Sequence, residues 1–544
     1  LIRVGPAARL RVRPGVHGGV AGSRDARSLL PGGAAIRIVF VFTGLENHGV
    51  GALSAILSAR GHRVSFVYEP RLFSTDSGLP RLGLSQWLEP SVGETARRVL
   101  DARPDLVAFS SCTLTHAWAV AVARQVRRQR IVPTVFGGSH PTGAPGPTVR
   151  EPAIDAVVVG EGESAMLALA ECVDGTRFAR TDIPGTWVLR DDTPFANPPG
   201  PLAHDLDALP FVDRAAFYGR VPAFERDFMV LTQRGCPFRC AYCEHSTFAS
   251  RHPGEPRVRR RSPAHVLEEL RIWKARGRMR KVFFWDTIFA MDASWLSDFL
   301  PRYRAGIGLP FECYGHPRTV TPEIARLLAE GGCRLIRLGV QSVNAATLDR
   351  LGRPAGPAQV RQAVAWLREA GVPFAFDHIL GLPGEGVAEQ RAAVREYARL
   401  RPSRILAHWM TYFPGTVAFD DAVRNGLLSA DEVDGILAGV GPGFDGPHGH
   451  GDVAASVGET ERLQVLMELI PLLPESVITR LLETGLYRRI GGGARVRQVV
   501  AAWMLFSRNS ALRQRMRLFL ELLPGESTRR LRDLAGRALG RESV

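Results

Sequence analysis

Cysteine is scarce, with seven in 544 residues. So long a chain with so few thiols does not read as a disulfide-stapled secreted scaffold. No apolar run approaches the ~20 residues that a membrane-spanning helix needs. Residues 1–34 lack the continuous apolar core and cleavage pattern of a secretory signal. No Gly-x-Gly-x-x-Gly opens the first helix, which disfavours a dinucleotide. What remains is the composition of an ordinary enzyme of a reducing compartment, 45% hydrophobic and 23% charged, with a cytoplasmic location expected. The length suggests roughly two to four domains, each with its own core.

The charge balance is strongly basic, +15. Much of it is local. Residues 1–34 carry Arg3, Arg9, Arg11, Arg13, Arg24 and Arg27 against Asp25 alone and read as a disordered basic leader. Residues 251–281 hold eleven Arg or Lys against Glu255, Glu268 and Glu269. No aromatic residues interleave the Arg259-Arg260-Arg261 run as a base-stacking surface requires, so nucleic acid is not the expected partner. A solvated face or an anion site is the plainer reading.

Three of the seven cysteines stand together in Gly235-Cys236-Pro237-Phe238-Arg239-Cys240-Ala241-Tyr242-Cys243. A disulfide would leave one of them over. Closely spaced thiols share soft metals, so an iron-sulfur cluster or a zinc site leads. Cys313 and Cys333 lack close partner cysteines and read as buried thiols packing like small apolar residues, and Cys112 and Cys172 are read the same way.

Strands and helices alternate along the chain. Ile36–Phe42, Val64–Val67, Asp105–Phe109, Val132–Phe136 and Asp155–Val159 read as strands, with helices between, which predicts a doubly wound parallel sheet whose ligands sit beyond its carboxyl ends. Ser110, Ser111, Gly137, Gly138 and Gly160 fall at those ends, where small residues allow close approach to the backbone. Residues 184–213 are rich in Pro and Gly and read as a domain connection. Six further strands follow: Phe228–Thr232, Lys281–Trp285, Pro310–Tyr314, Leu335–Val340, Phe374–Leu380 and Ile405–Met410. Six strand-helix units predict an open parallel barrel with its functional loops at one mouth. Ser262-Pro263 and Thr321-Pro322 mark helix starts.

Ser110-Ser111, Gly137-Gly138-Ser139-His140-Pro141-Thr142 and Val159-Gly160-Glu161-Gly162-Glu163 resemble the cobalamin-binding domain attached to many radical S-adenosylmethionine enzymes. Cys236, Cys240 and Cys243 match the CxxxCxxC spacing of that superfamily, supported by Gly339-Val340-Gln341-Ser342 and Ile379-Leu380-Gly381-Leu382-Pro383-Gly384-Glu385. The resemblance covers about residues 36–415. The common GGE motif is absent, and Trp285-Asp286-Thr287 stands in its place.

The resemblance implies an α/β fold: a disordered basic leader (1–34), a Rossmann-like cobalamin-binding domain (35–183), a linker (184–224), a partial (β/α)6 radical SAM barrel (225–415) and a helical C-terminal region (416–544). It implies a 4Fe-4S cluster on Cys236, Cys240 and Cys243 whose fourth iron is open to S-adenosylmethionine. Phe238, Tyr242, Asp286, Arg318, Gln341, Ser342, Ile379, Gly381 and Glu385 are the S-adenosylmethionine contacts it suggests. For cobalamin it suggests His48, Ser110, Ser111, Gly137, Gly138, Gly160 and Glu161. Glu46-Asn47-His48-Gly49-Val50-Gly51 is ExHxxG, where cobalamin enzymes of the methionine-synthase type carry a DxHxxG whose His ligates cobalt. Most radical enzymes of this kind leave that cobalt face without a His, so both roles stay open for His48.

The activity implied is methylation of an unactivated carbon of a natural-product, peptide or lipid substrate, with a reductant such as flavodoxin or ferredoxin. The rivals are a cobalamin-containing cyclase or rearrangement enzyme and, from another class, a non-catalytic sensor binding nucleic acid through Arg257–Arg261. A methylthiotransferase is disfavoured because its additional three-cysteine cluster domain is missing. Beyond Thr416 the chain reads as mainly helical, over Leu463–Leu473, Ser476–Thr484 and Val496–Leu520. Gly441–Gly451, with His448 and His450, reads as a lid.

Overall fold

The computed structural model describes residues 35–44, 46–69, 91–219, 221–441 and 452–489. The basic leader, His448, His450 and the expected helix over 496–520 lie outside the described residues.

Apolar β-branched and aromatic runs form the first sheet: β1 (Arg37–Thr43), β2 (Arg63–Glu69), β3 (Leu106–Ser110), β4 (Thr134–Gly137), β5 (Ala156–Val158), β6 (Thr186–Arg190) and β7 (Thr193–Ala196). Their spatial order is β2-β1-β3-β4-β5-β6-β7. The first five are parallel, while β6 and β7 add on antiparallel. Alternation along β1 feeds two cores. Ile38, Phe40 and Phe42 join one, and Val39 and Val41 join the other, beneath the helix Thr113–Gln129. The β6-β7 hairpin falls where the sequence predicts a loop-rich connection. Pro184-Gly185 and Asn197-Pro198 close off this hairpin instead of breaking it up.

The second sheet is β8 (Asp227–Val230), β9 (Lys281–Phe284), β10 (Phe311–Gly315), β11 (Cys333–Gln341), β12 (Phe374–Leu380) and β13 (Arg404–Trp409), all parallel and in sequence order. All six strands coincide with the strands expected for the barrel to within about two residues. One face carries Val282, Phe284, Phe311, Cys313, Ile336, Leu338, Phe374 and Phe376 into the core under the helices. The other carries Arg337, whose guanidinium donates to the Tyr314 hydroxyl at 2.7 Å and to Asp377 at 2.9 Å. Ser262 and Thr321 cap their helices as expected, accepting from the His265 and Ile324 amides.

The core on one face of the first sheet runs on without a break into the second domain through Phe217, Tyr218, Phe224 and Phe228. Among the described residues no helix is long and apolar enough to cross a membrane. Cys313 and Cys333 are buried in the core as expected, whereas Cys112 and Cys172 are half-exposed at helix ends.

Candidate functional site

The carboxyl end of the first sheet faces the segment that leaves β8 in the second. At the first, a cavity of about 280 Å³ is walled by Ser110, Gly137, Gly138, Gly160 and Glu161, by one face of the helix His48–Ala59, and by the segment Leu206–Arg214. Gln233, Arg234, Arg261, His265 and Glu269 from the second domain close it. One cavity therefore has walls from both domains.

The small residues serve distinct local needs. Ser110 Oγ accepts from Asn47 at 3.1 Å, while Ser111 is turned to the buried His116. Gly138 has φ +106°, and a Cβ there would lie 2.5 Å from the Ser111 carbonyl. At Gly160, φ +83°, a Cβ would meet His252 at 3.0 Å. Only glycine admits both backbones without strain.

Beneath His48 lies a fully buried ion network. Arg214 donates to Glu46, to the Tyr218 hydroxyl at 3.2 Å, and to Glu269 at 3.0 Å, and Arg261 donates to Glu269 at 2.7 Å. His48 Nε2 faces Arg214 Nη1 at 3.5 Å. Burial, then the charges of Arg214 and Arg261, hold this imidazole neutral, well below its ordinary pKa.

Glu161 binds the second domain. Its carboxylate takes Arg259 and, at 3.0 Å, Arg234, while Glu163 takes Arg234 at 2.6 Å. Burial raises its pKa, but the Arg259 hydrogen bond and the two guanidinium charges outweigh that and hold it below the ordinary range. The basic run 257–261 is therefore turned inward. Arg257 donates to the Phe238 carbonyl at 2.7 Å, Arg260 to Gln233, and Arg261 to Glu269.

The cysteine loop leaves β8 through a short antiparallel hairpin, Gln233–Gly235 with Val258–Arg260. Gly235, at φ +91°, sits so close to this hairpin that a Cβ would lie 2.0 Å from the Arg257 carbonyl. Asp286, fully buried, pins the same exit by accepting from the amides of Thr232 (2.7 Å) and Gln233 (2.8 Å) and from the Thr232 hydroxyl (2.9 Å). Burial pushes its pKa up to about 6 against those hydrogen bonds.

Cys240 is buried, and Cys236 and Cys243 are half-buried. Burial first, then the neighbouring thiols, pushes Cys243 up to about 12. Among the described residues no three His, Cys, Asp or Glu side chains gather around one metal ion. An iron-sulfur cluster asks for something else, one thiolate on each of three separate irons, and this donor set fits it. The lining of the cavity between the domains suits a cofactor in the same sense, with small residues along one wall and polar groups along the other.

One residue the sequence reading missed is Arg353. Its guanidinium donates to Cys240 Sγ at 3.5 Å, to the Tyr242 hydroxyl at 3.1 Å and to the Gly339 carbonyl. No local pattern marks it, because its thiol partner lies 113 residues away. Gln341 adopts φ +69°, costly for a side chain of this kind, at the register shift between β11 and β12. Gly381, at φ +71°, and half-buried Ile379 stand at the end of β12, while Arg318 is exposed beyond β10.

Ser342 and Glu385 belong to one buried polar chain. Ser342 Oγ donates to Glu385, Gln390 donates to Glu385 at 3.1 Å, and Gln390 and the Tyr397 hydroxyl hold His378 at 2.8 and 2.9 Å. Burial pushes Glu385 up to about 7 against the hydrogen bonds of Ser342, Thr347 and Gln390. A carboxyl that stays protonated when folded and ionises when unfolded contributes stability that is whole at low pH and lost as pH rises through the folded value. The amount is on the order of 3 kcal/mol. Glu385→Gln should flatten the fall in unfolding free energy between about pH 5 and pH 8, read by urea titration.

The model of the Radical SAM superfamily matches residues 230–396, and that of the B12 binding domain matches residues 42–170. An uncharacterized methyltransferase of Pyrococcus horikoshii, PH0819, is 28% identical over 337 residues, 60% of this chain and 71% of its own. The anaerobic magnesium-protoporphyrin IX monomethyl ester cyclase of Rubrivivax gelatinosus is 25% identical over 341 residues, 60% of this chain and 59% of its own. Among solved structures, the radical S-adenosylmethionine methyltransferase TsrM of Kitasatospora setae, with cobalamin and a [4Fe-4S] cluster bound, shares the fold. Its TM-score is 0.57 and its identity 20%, over 73% of this chain and 79% of that one. One match falls on the domain that bears the cavity loops and the other on the domain that bears the three cysteines, so the chain carries a B12-binding domain followed by a radical SAM domain.

Proposed function

We propose that the chain is a cobalamin-dependent radical SAM enzyme that methylates an unactivated carbon. The carrying observation is the shared cavity: Arg234, two residues before Cys236, lines the same space as Ser110, Gly137 and His48. When bound, the cluster and S-adenosylmethionine supply a hydrogen-abstracting 5′-deoxyadenosyl radical, and cobalamin supplies the methyl group. The residues do the rest. Cys236, Cys240 and Cys243 hold the cluster, with Arg353 placing a positive charge against Cys240.

The backbone at Phe238, Tyr242, Ile379 and Gly381, with Gln341 and Arg318, frames S-adenosylmethionine. Ser342 and Glu385 shape that wall from behind, and Asp286 fixes the loop that carries the thiols. Ser110, Gly137, Gly138 and Gly160 leave room for cobalamin. His48, its Nε2 turned to Arg214, forms part of the cavity wall. Glu161 ties that wall to the cluster hairpin, Ser111 braces it through His116, and the buried docking of the two domains keeps water from the space between them.

The substrate class proposed is a natural product, peptide or lipid, with flavodoxin or ferredoxin as reductant. A ring-forming or rearranging reaction without methyl transfer is the second reading, favoured by the likeness to the cyclase of Rubrivivax gelatinosus. Nucleic-acid binding through Arg257–Arg261 has little support, since those side chains are occupied inside the fold. S-adenosylmethionine bearing a deuterated methyl group separates the first two readings, because only methylation carries the label into product.

A further inference from the structure

His316 stands just beyond β10 at the barrel mouth and is 3% exposed. The backbone amide of Arg318 donates to its Nδ1 at 3.2 Å. Nδ1 therefore carries the lone pair, and in the neutral ring the proton sits on Nε2. That same bond fixes which way round the ring lies.

Nε2 is buried and has no hydrogen-bond partner. A buried donor left unsatisfied costs roughly 1–3 kcal/mol and is rare in folded proteins. The ring lies against Phe238 of the cysteine loop, centroid to centroid 4.2 Å. Burial first, and then the guanidinium charges of Arg353 and Arg318, oppose protonation of this ring. Arg353 in turn reaches Cys240 Sγ. A buried N–H with no partner, beside the cysteine loop and under the influence of two guanidinium charges, calls for an anionic acceptor.

We propose that His316 Nε2–H donates to an anionic acceptor of the bound cluster and S-adenosylmethionine, either the methionine carboxylate or a cluster sulfide. The assignment rests on the radical SAM reading of the site. His316 is a neutral donor that positions or electronically tunes what lies against the cysteine loop, and no proton is transferred.

Two isosteres separate this role from a purely structural one. Asparagine reproduces the Nδ1 acceptor for the Arg318 amide and lacks the distal donor. Glutamine places an amide N–H near Nε2 and loses the proximal acceptor. The experiment uses the anaerobically reconstituted full chain, with iron content, S-adenosylmethionine affinity by calorimetry, and cluster midpoint potential without S-adenosylmethionine.

If the acceptor is the carboxylate, His316→Asn weakens S-adenosylmethionine binding about tenfold to a hundredfold, the loss expected for one hydrogen bond to a charged group. His316→Gln stays near wild type, and the potential does not move. If the acceptor is a sulfide, His316→Asn lowers the potential, because an N–H donated to sulfur stabilises the more negative reduced cluster, and His316→Gln restores it. Loss of iron from the asparagine variant alone also supports the donor role. Equal behaviour of the two variants, or impairment of the glutamine variant alone, overturns it. A wild-type chain that assembles no cluster overturns the radical SAM reading itself.

Discussion

Cys240→Ala is expected to abolish the iron-thiolate charge-transfer absorption of the reconstituted protein and to bring 5′-deoxyadenosine formation below detection. Cobalamin should still bind. Of the three thiols Cys240 is the buried one, and it alone receives the Arg353 guanidinium, so no solvent ligand can readily replace it. Arg353 keeps its bonds to Tyr242 and Gly339 in the variant, which leaves the loop anchored. The cobalamin cavity draws on other elements, the carboxyl ends of the first sheet and the segment Leu206–Arg214. Absorption spectra, iron counting and quantified 5′-deoxyadenosine check these outcomes together. A full cluster and undiminished 5′-deoxyadenosine would remove the assignment.

Arg214→Met should be the most destabilising single change away from the cluster. The guanidinium is fully buried between Glu46 and Glu269, and methionine fills its space without its charge. Arg261 still reaches Glu269, but Glu46 then has only the Tyr218 hydroxyl. Removing one partner of a buried ion network typically costs about 3–5 kcal/mol, because the charge left behind stays desolvated. The loss should depend on pH. Burial already pushes Glu46 up to about 7 against the charge and hydrogen bond of Arg214, and removing Arg214 takes away that opposition, so in the variant Glu46 takes up a proton on folding that it does not hold when unfolded. The variant therefore regains stability as pH falls below Glu46's folded-state value and loses it as pH rises. Urea unfolding at mildly acid and mildly alkaline pH tests this, and a deficit that does not change with pH would show that packing, rather than stranded charge, is lost. The same variant should weaken cobalamin binding, since His48 loses the group that faces it.

The parallel strands of both sheets were legible in the sequence because parallel strands covered on both faces keep apolar runs such as Ile38–Phe42 and Val282–Phe284 nearly unbroken. The cysteine spacing and the glycines at strand ends were legible too, because turn geometry is a local property. What escaped is pairing across the chain. Glu46 and Arg214 lie 168 residues apart, and Glu161 and Arg259 lie 98 apart. Nothing near Arg259-Arg260-Arg261 distinguishes a solvated basic face from three side chains consumed inside a domain junction. Arg353 was silent for the same reason. The β6-β7 hairpin escaped because its flanking Pro and Gly residues carry the composition of a loop while serving as strand ends. No local pattern marks His316 as a donor; the Arg318 amide on Nδ1 reveals which nitrogen carries the proton, and the missing partner of Nε2 that the donor is unused within the chain.

Cobalamin and the cluster, on this account, open into one chamber where a substrate carbon loses hydrogen and gains a methyl group. The most direct test is product mass after anaerobic turnover with S-adenosylmethionine carrying a trideuterated methyl group. The account predicts a product heavier than substrate by one labelled methyl, formed together with 5′-deoxyadenosine and S-adenosylhomocysteine. An unlabelled, rearranged or cyclised product accompanied by 5′-deoxyadenosine alone would contradict methyl transfer.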